Sequence, residues 1–312
     1  MQPSVTGHFV QPMPPHRWAR FREKYSGYVF LIPWLIGFFV FTIGPILASL
    51  YLSFTHYDLM TSPEWAGLFN FERLLTRDTR FGQSMMVTFT FVFVSVPLQL
   101  IIALLIALVL NRGIRGLPWY RALFYLPSLL GGSVAIAILW RQVFGNEGLL
   151  NQVLMLFGIE GQSWIGSPDT ALLTLIVLRV WQFGSPMVIF LAGLKQVPQS
   201  LYEAAEIDGA GSISKFFKIT LPLITPIFFF NLVLQMISAF QAFTPAYIIS
   251  DGTGSPADST LFYSLYIYIQ GFRYFRMGYA AAMAWIMLVI IVIFTIINFL
   301  LSKFWVFYGD DE

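Results

Sequence analysis

Six stretches of the chain are each long and apolar enough to cross a bilayer, and no other feature narrows the possible folds so far. A spanning helix needs roughly 20 mostly apolar residues. The first stretch, about 28–55, the second, about 84–111, the fifth, about 221–249, and the sixth, 277–302, carry no charge. The third, 122–140, is closed by Arg121 and Arg141, and the fourth, 171–194, contains one charge, Arg179. Backbone groups in lipid must be paired within their own segment, so helix is the form expected of such runs. The expectation is an all-α integral membrane protein of six transmembrane helices, with an N-terminal tail over 1–27, a transmembrane domain over 28–307 and a C-terminal tail over 308–312. Composition agrees: 57% of residues are hydrophobic, 11% are charged and the mean hydropathy is +0.71. A soluble domain of 312 residues could not hide that much apolar surface. The first stretch exceeds the roughly 7–15 apolar residues of a cleaved signal and is read as a retained helix.

Other classes fall away on residue type. A net charge of +2 argues against a nucleic-acid partner, and the absence of cysteine removes thiolate metal sites and disulfides. His8, His16 and His56 all lie outside the apolar cores of the stretches. Paired carboxylates, a Ser-His-Asp set, metal-ligand spacing and a phosphate-binding Gly-rich loop are missing, so the chain is not expected to be an enzyme.

Lysine and arginine set the expected orientation. With the N-terminus inside, the cytoplasmic segments hold Arg17, Arg20, Arg22, Lys24, Arg112, Arg115, Arg121, Lys195, Lys215, Lys218 and Lys303, against six basic residues in the outer loops. Both termini are therefore expected in the cytoplasm, with the longest loops, near 56–83, 145–169 and 251–276, outside.

One cytoplasmic loop, 199–222, departs from the short polar turn usual in bundles. Leu201, Ala204, Ala205 and Asp208 recur at helical spacing, with Glu203 and Glu206 as flanking acids. Gly209 permits a sharp turn, and Pro222 suits the first turn of the next helix. A short helix with small residues suits the close approach of another surface; the alternative is a helix lying on the inner leaflet.

At these residues the chain resembles the permease subunits of binding-protein-dependent ABC importers. Glu203-Ala204-Ala205, Asp208-Gly209-Ala210 and Ile219-x-Leu221-Pro222 are similar to that family's EAA loop. Tyr120-Arg121-Ala122-Leu123-Phe124-Tyr125-Leu126-Pro127, Phe190-Leu191-Ala192-Gly193-Leu194 and Gly278-Tyr279-Ala280-Ala281-Ala282 resemble its carbohydrate-uptake branch, in particular the first permease subunit of the maltose and glycerol-phosphate systems. Gly252-Thr253-Gly254-Ser255-Pro256 departs from the compact Gly-Gly-Pro of relatives. The resemblance implies the type I importer permease fold in a bacterial or archaeal inner membrane. It implies a second permease subunit as heterodimer partner, two ATPase subunits that hold ATP and Mg, and an extracytoplasmic solute-binding protein; this chain itself would hold no cofactor. Residues 199–217 would then be the coupling helix, with Glu203 as its anchor in an ATPase.

Polar side chains inside spans are costly and stand as candidates for the substrate path. Asn231, Gln235 and Ser238 fall on one helix face, with Gln241 a turn further on, and amides suit sugar hydroxyls. Hydrogen bonding between helices is the competing role. Gln182 and Phe183 precede Gly184-Ser185-Pro186, an expected helix distortion. Arg179 either snorkels, pairs with a partner's acid, or meets an anionic substrate such as a uronate-containing oligosaccharide. Tyr263, Tyr266, Tyr268, Phe272, Tyr274 and Phe275 read as an interfacial aromatic belt, or else as a contact for the binding protein. A secondary transporter is the rival class, but no acidic residue lies within a span to carry a coupling proton.

Overall fold

The structure is a computed structural model that describes residues 28, 30–113 and 115–307. The tails expected over 1–27 and 308–312, with Arg17, Arg20, Arg22 and Lys24, lie outside the described residues.

The chain divides at Tyr51 into two compact units. Most described residues of the first belong to the apolar helix Phe30–Ser53, whose side chains are largely exposed. It carries a π turn at Phe39–Ile43, closed by the Gly44 N–H on the Phe39 carbonyl. Pro45 follows and has no N–H to continue the α register, so the ladder slips by one residue. The same pairing of a π turn, Phe216–Thr220, with a proline, Pro222, occurs ahead of the fifth span.

In the second unit the helix Thr79–Leu110 is central, with the fourth span, Pro168–Leu194, and the fifth, Leu221–Phe240, packed against it. Phe89 of the central helix meets Phe240 edge-on at 5.7 Å and Phe294 of the last span, Met277–Trp305, at 5.6 Å. The last span leaves Leu288, Val292, Ile296 and Leu300 exposed, an apolar face suited to lipid or a second subunit.

Three expected spans are broken. The stretch 122–140 is not one straight helix: Leu117–Leu130 and Val134–Val143 meet at 95°. Gly131 and Gly132 weaken helix continuation, and the Ser133 hydroxyl accepts the Ile136 N–H at 3.3 Å to start a new helix. The fourth span is interrupted at Gln182 and Phe183, between Pro168–Trp181 and Gly184–Leu194. The fifth stops at Phe240 and resumes as Thr244–Ile249, with Pro245 in the first turn of the new piece.

The end built from residues 55–83 and 250–279 is closed by polar contacts. A two-stranded hairpin pairs Thr55 with Trp65 and His56 with Glu64. Asn70 donates to the Ser53 and Thr55 carbonyls, both at 2.9 Å. The last span starts against this hairpin at Gly278, where a Cβ would lie 2.1 Å from the Thr55 carbonyl oxygen. Asp78 caps the central helix through the Phe81 N–H and accepts hydroxyls from Tyr266 at 2.7 Å and Tyr279 at 2.5 Å. Tyr263 donates to the Met283 carbonyl at 2.8 Å. Tyr263 and Tyr266 are therefore buried, not members of a surface belt, because each phenol has a partner inside the bundle.

Candidate functional site

The interruption of the fourth span has a local cause. In a continuous helix the N–H of residue 186 would pair with the carbonyl of residue 182, but Pro186 has none. The freed Gln182 carbonyl instead accepts from the Gln99 amide at 2.8 Å and the Ser128 hydroxyl at 2.9 Å. Ser128 also accepts the Ser185 N–H at 2.9 Å. Close approach makes this possible: a Cβ on Gly184 would lie 2.3 Å from the Phe124 carbonyl oxygen, and one on Gly131 would lie 2.3 Å from Gln182 Cγ. The break at Gln182 and Phe183 is thus packed directly against the bend at Gly131 and the helix that precedes it.

A cavity of about 200 Å³ lies where the breaks of the fourth and fifth spans face each other, and Arg179, Gln182, Ser238, Gln241 and Phe243 are among its walls. Arg179 Nη2 donates to Gln235 Oε1 at 2.8 Å and to the Gln235 carbonyl at 3.2 Å, while Nη1 reaches the Ser238 hydroxyl at 3.2 Å. These partners orient the guanidinium but are neutral, so its positive charge is not compensated by them. Guanidinium, amides, a hydroxyl and a phenyl ring lining one cavity can hold a hydroxyl-rich or anionic solute without covalent chemistry.

Five of the seven residues expected on a solute path are brought together: Arg179, Gln182, Ser238 and Gln241 on the cavity wall, and Gln235 behind Arg179. Two are not. Asn231 is 0% exposed, and its amide has no hydrogen-bond partner among the described residues. Phe183 points to the third region, its ring 6.0 Å from Phe124. Gln99 and Ser128 were not among the expected residues. Pro186 announces an orphan carbonyl at Gln182, but nothing local names the side chains that answer it.

At the other end, Gln199–Ile207 form a helix followed by the turn expected at Gly209, which has φ +75°. The Ala210 N–H bonds to the Ala205 carbonyl at 2.8 Å and the Gly209 N–H to the Glu206 carbonyl at 3.0 Å. That pair of bonds is a Schellman cap, which requires a left-handed residue where glycine stands. Glu206 pairs with Lys215 at 2.5 Å, and the Tyr202 and Thr220 hydroxyls share a hydrogen bond of 2.8 Å. Glu203, Ala204, Asp208 and Gly209 are exposed, whereas Ala205, Ile219, Leu221 and Pro222 are half-buried against the bundle. Ile207 is 88% and Ile213 77% exposed, large apolar side chains that water alone does not favour.

Among the described residues no group of three or more His, Cys, Asp or Glu is placed to hold a metal ion.

The model of the family described as binding-protein-dependent transport system inner membrane component matches residues 74–305. A probable ABC transporter permease protein, YesP, of Bacillus subtilis is 54% identical, covering 99% of this chain and 100% of its own. The lactose transport system permease protein LacF of Rhizobium radiobacter is 33% identical, over 89% of this chain and 94% of its own. Among solved structures, a bacterial alginate ABC transporter in complex with alginate pentasaccharide-bound periplasmic protein contains a chain of the same fold. Its TM-score is 0.79 at 21% identity, covering 92% of this chain and 97% of that one.

Proposed function

The chain belongs to the family of binding-protein-dependent transport system inner membrane components, and on that premise we propose that it forms half of the pathway by which a sugar or oligosaccharide enters the cell. It is a permease, not an enzyme. A solute-binding protein delivers the saccharide from outside. A second permease subunit completes the path as a heterodimer, and two ATPase subunits bind ATP and Mg and supply the energy. Both termini are cytoplasmic in this reading, so the end carrying 55–83 and 250–279 faces out and the 199–217 helix faces the ATPases.

The cavity at the two broken spans carries the substrate reading. It offers amide, hydroxyl, guanidinium and aromatic groups together, the combination that suits sugar rings, and the lactose-permease relative supports the class. The exposed Glu203, Ala204, Ile207 and Asp208 would seat in a cleft of one ATPase, with Gly209 setting the turn. ATP-driven closure would move this helix and rock the spans between two states. Ile219, Leu221 and Pro222 would transmit that movement to the fifth span.

A second reading concerns charge. Among the described residues Arg179 hydrogen-bonds only to neutral groups, and a cation inside a span calls for an anion. The saccharide is then an acidic one containing uronate. Uptake by the complete transporter in proteoliposomes tests both. Arg179→Gln is expected to impair an acidic oligosaccharide far more than a neutral one of equal length. Equal loss for both would assign Arg179 a structural role, and no saccharide uptake by the unaltered transporter would overturn the function.

A further inference from the structure

The cavity wall is continued by a series of aromatic rings. Phe243, on the wall, stands 5.4 Å from Tyr247 and 5.3 Å from Tyr268 between ring centroids. Tyr247 and Tyr268 meet edge to face at 5.4 Å. Phe272 follows Tyr268 at 5.4 Å with the rings 25° from parallel. The series ends at the protein surface, where Phe272 is 62% exposed.

The helix pieces that carry these rings bury other side chains beneath them. Ala246, Ile249, Ile269 and Gln270 are buried, while Phe243, Tyr247 and Tyr268 keep part of their surface open. Tyr247 is seated against a turn at Gly252, where a Cβ would come within 2.8 Å of the ring. Phe243, Tyr247 and Tyr268, mutually 5.3 to 5.4 Å apart, thus form a cluster beside the cavity, and Phe272 extends it from Tyr268 to the surface. An interfacial belt would follow the membrane plane and would have no reason to run into a cavity wall.

The geometry points to Phe243, Tyr247, Tyr268 and Phe272 as a stacking track along which the sugar rings of an oligosaccharide pass between the outer surface and the cavity at Arg179. The inference rests on the saccharide reading above. The C–H faces of a sugar ring lie well on an aromatic face, while its hydroxyls stay hydrated at the edge. Such contacts are weakly directional, so a chain can shift from ring to ring without breaking a set of fixed hydrogen bonds. The Phe243–Tyr268 and Tyr268–Phe272 spacings of 5.3 and 5.4 Å approach the length of one sugar unit in an extended chain, so successive units can follow Phe243, Tyr268 and Phe272, with Tyr247 flanking the first step.

Uptake of a length series, from disaccharide to hexasaccharide, by the complete transporter in proteoliposomes tests the track. Tyr268→Leu keeps apolar bulk but removes the ring, and Tyr268→Trp keeps an aromatic face. The expected result is a loss that grows with chain length, reaching roughly three- to tenfold for the longest member with Tyr268→Leu, the scale of one aromatic contact, and recovered with Tyr268→Trp. Phe272→Leu should give the same length dependence. A loss independent of length, a loss that Trp does not recover, or no loss overturns the track. If the unaltered transporter imports none of the series, the saccharide reading fails and the track with it; uptake by the unaltered protein with unaffected variants removes the track alone.

Discussion

The hydroxyl of Ser128 donates to the Gln182 carbonyl at 2.9 Å and accepts the Ser185 N–H at 2.9 Å. One side chain from the bent third region therefore closes both sides of the break in the fourth span. Gln99, from the central helix, supplies the other donor to the same carbonyl. The break beside Arg179 is thus held by two neighbouring elements as well as by its own helix, where the Gln182 amide donates to the Leu178 carbonyl at 3.2 Å.

Ser128→Ala would strand the Ser185 N–H and leave the Gln182 carbonyl with one donor. The expected loss is about 1 kcal/mol, between the ~0.6 kcal/mol average for interhelical hydrogen bonds in bundles and the ~1–3 kcal/mol cost of a stranded buried group. Thermal midpoints of the purified complex measure it. Because Gln99 and Ser128 share one acceptor, the double variant with Gln99→Leu should depart from additivity. An unshifted midpoint in Ser128→Ala would show that the break is held by packing alone.

Gly209 has φ +75° with open space around its missing Cβ, so substitution there is opposed by backbone strain and not by collision. Gly209→Ala is expected to cost about 1–2 kcal/mol in the cap, and Gly209→Asn less, since asparagine visits the left-handed region more readily. In the assembled transporter Gly209→Ala and Glu203→Ala should both lower uptake relative to ATP hydrolysis while membrane insertion persists. Full transport in both variants would remove the coupling assignment of 199–217.

Tyr266 is sensitive to alkali. Burial, and then the hydrogen bond it donates to Asp78, raise its phenol above the ordinary value; Arg80, 5.5 Å over the ring, acts in the opposite direction with smaller effect. The folded chain keeps a proton that an unfolded chain releases near pH ~10, so the stabilisation is complete below that pH and declines progressively as pH rises above it toward the raised folded value. Tyr266→Phe should lower stability at neutral pH by about 1.5–3 kcal/mol, the worth of a hydrogen bond to a charged group, and should flatten the alkaline decline. Thermal midpoints followed from about pH 8 to about pH 11 would show it, and identical alkaline slopes for both proteins would refute it.

Much of the fold is visible in residue order because hydropathy and helix-breaking chemistry are local. The central and last spans need only their apolar runs, and the turn at Gly209 follows from glycine after a short amphipathic helix. The distortion expected near Gly184-Ser185-Pro186 follows from a missing N–H. The third region escaped the same reasoning. Its apolar run masked the effect of Gly131-Gly132 followed by a serine able to cap, and the 95° bend came only with the structure. The aromatic segment 263–275 divided in a way its composition does not reveal, because the buried acceptors at Asp78 and Met283 lie far away in sequence.

What the chain determines by itself is what depends on neighbours along the backbone: which runs enter lipid, where prolines remove donors, and where a left-handed residue is tolerated. Which polar groups meet is decided only in three dimensions. Arg179 with Gln235 and Ser238, Gln182 with Gln99 and Ser128, and the rings of Phe243 and Tyr268 come together across separate helices. Burial leaves an unpaired polar atom costly, so the packed bundle selects those partners. No periodicity within a single helix encodes that choice.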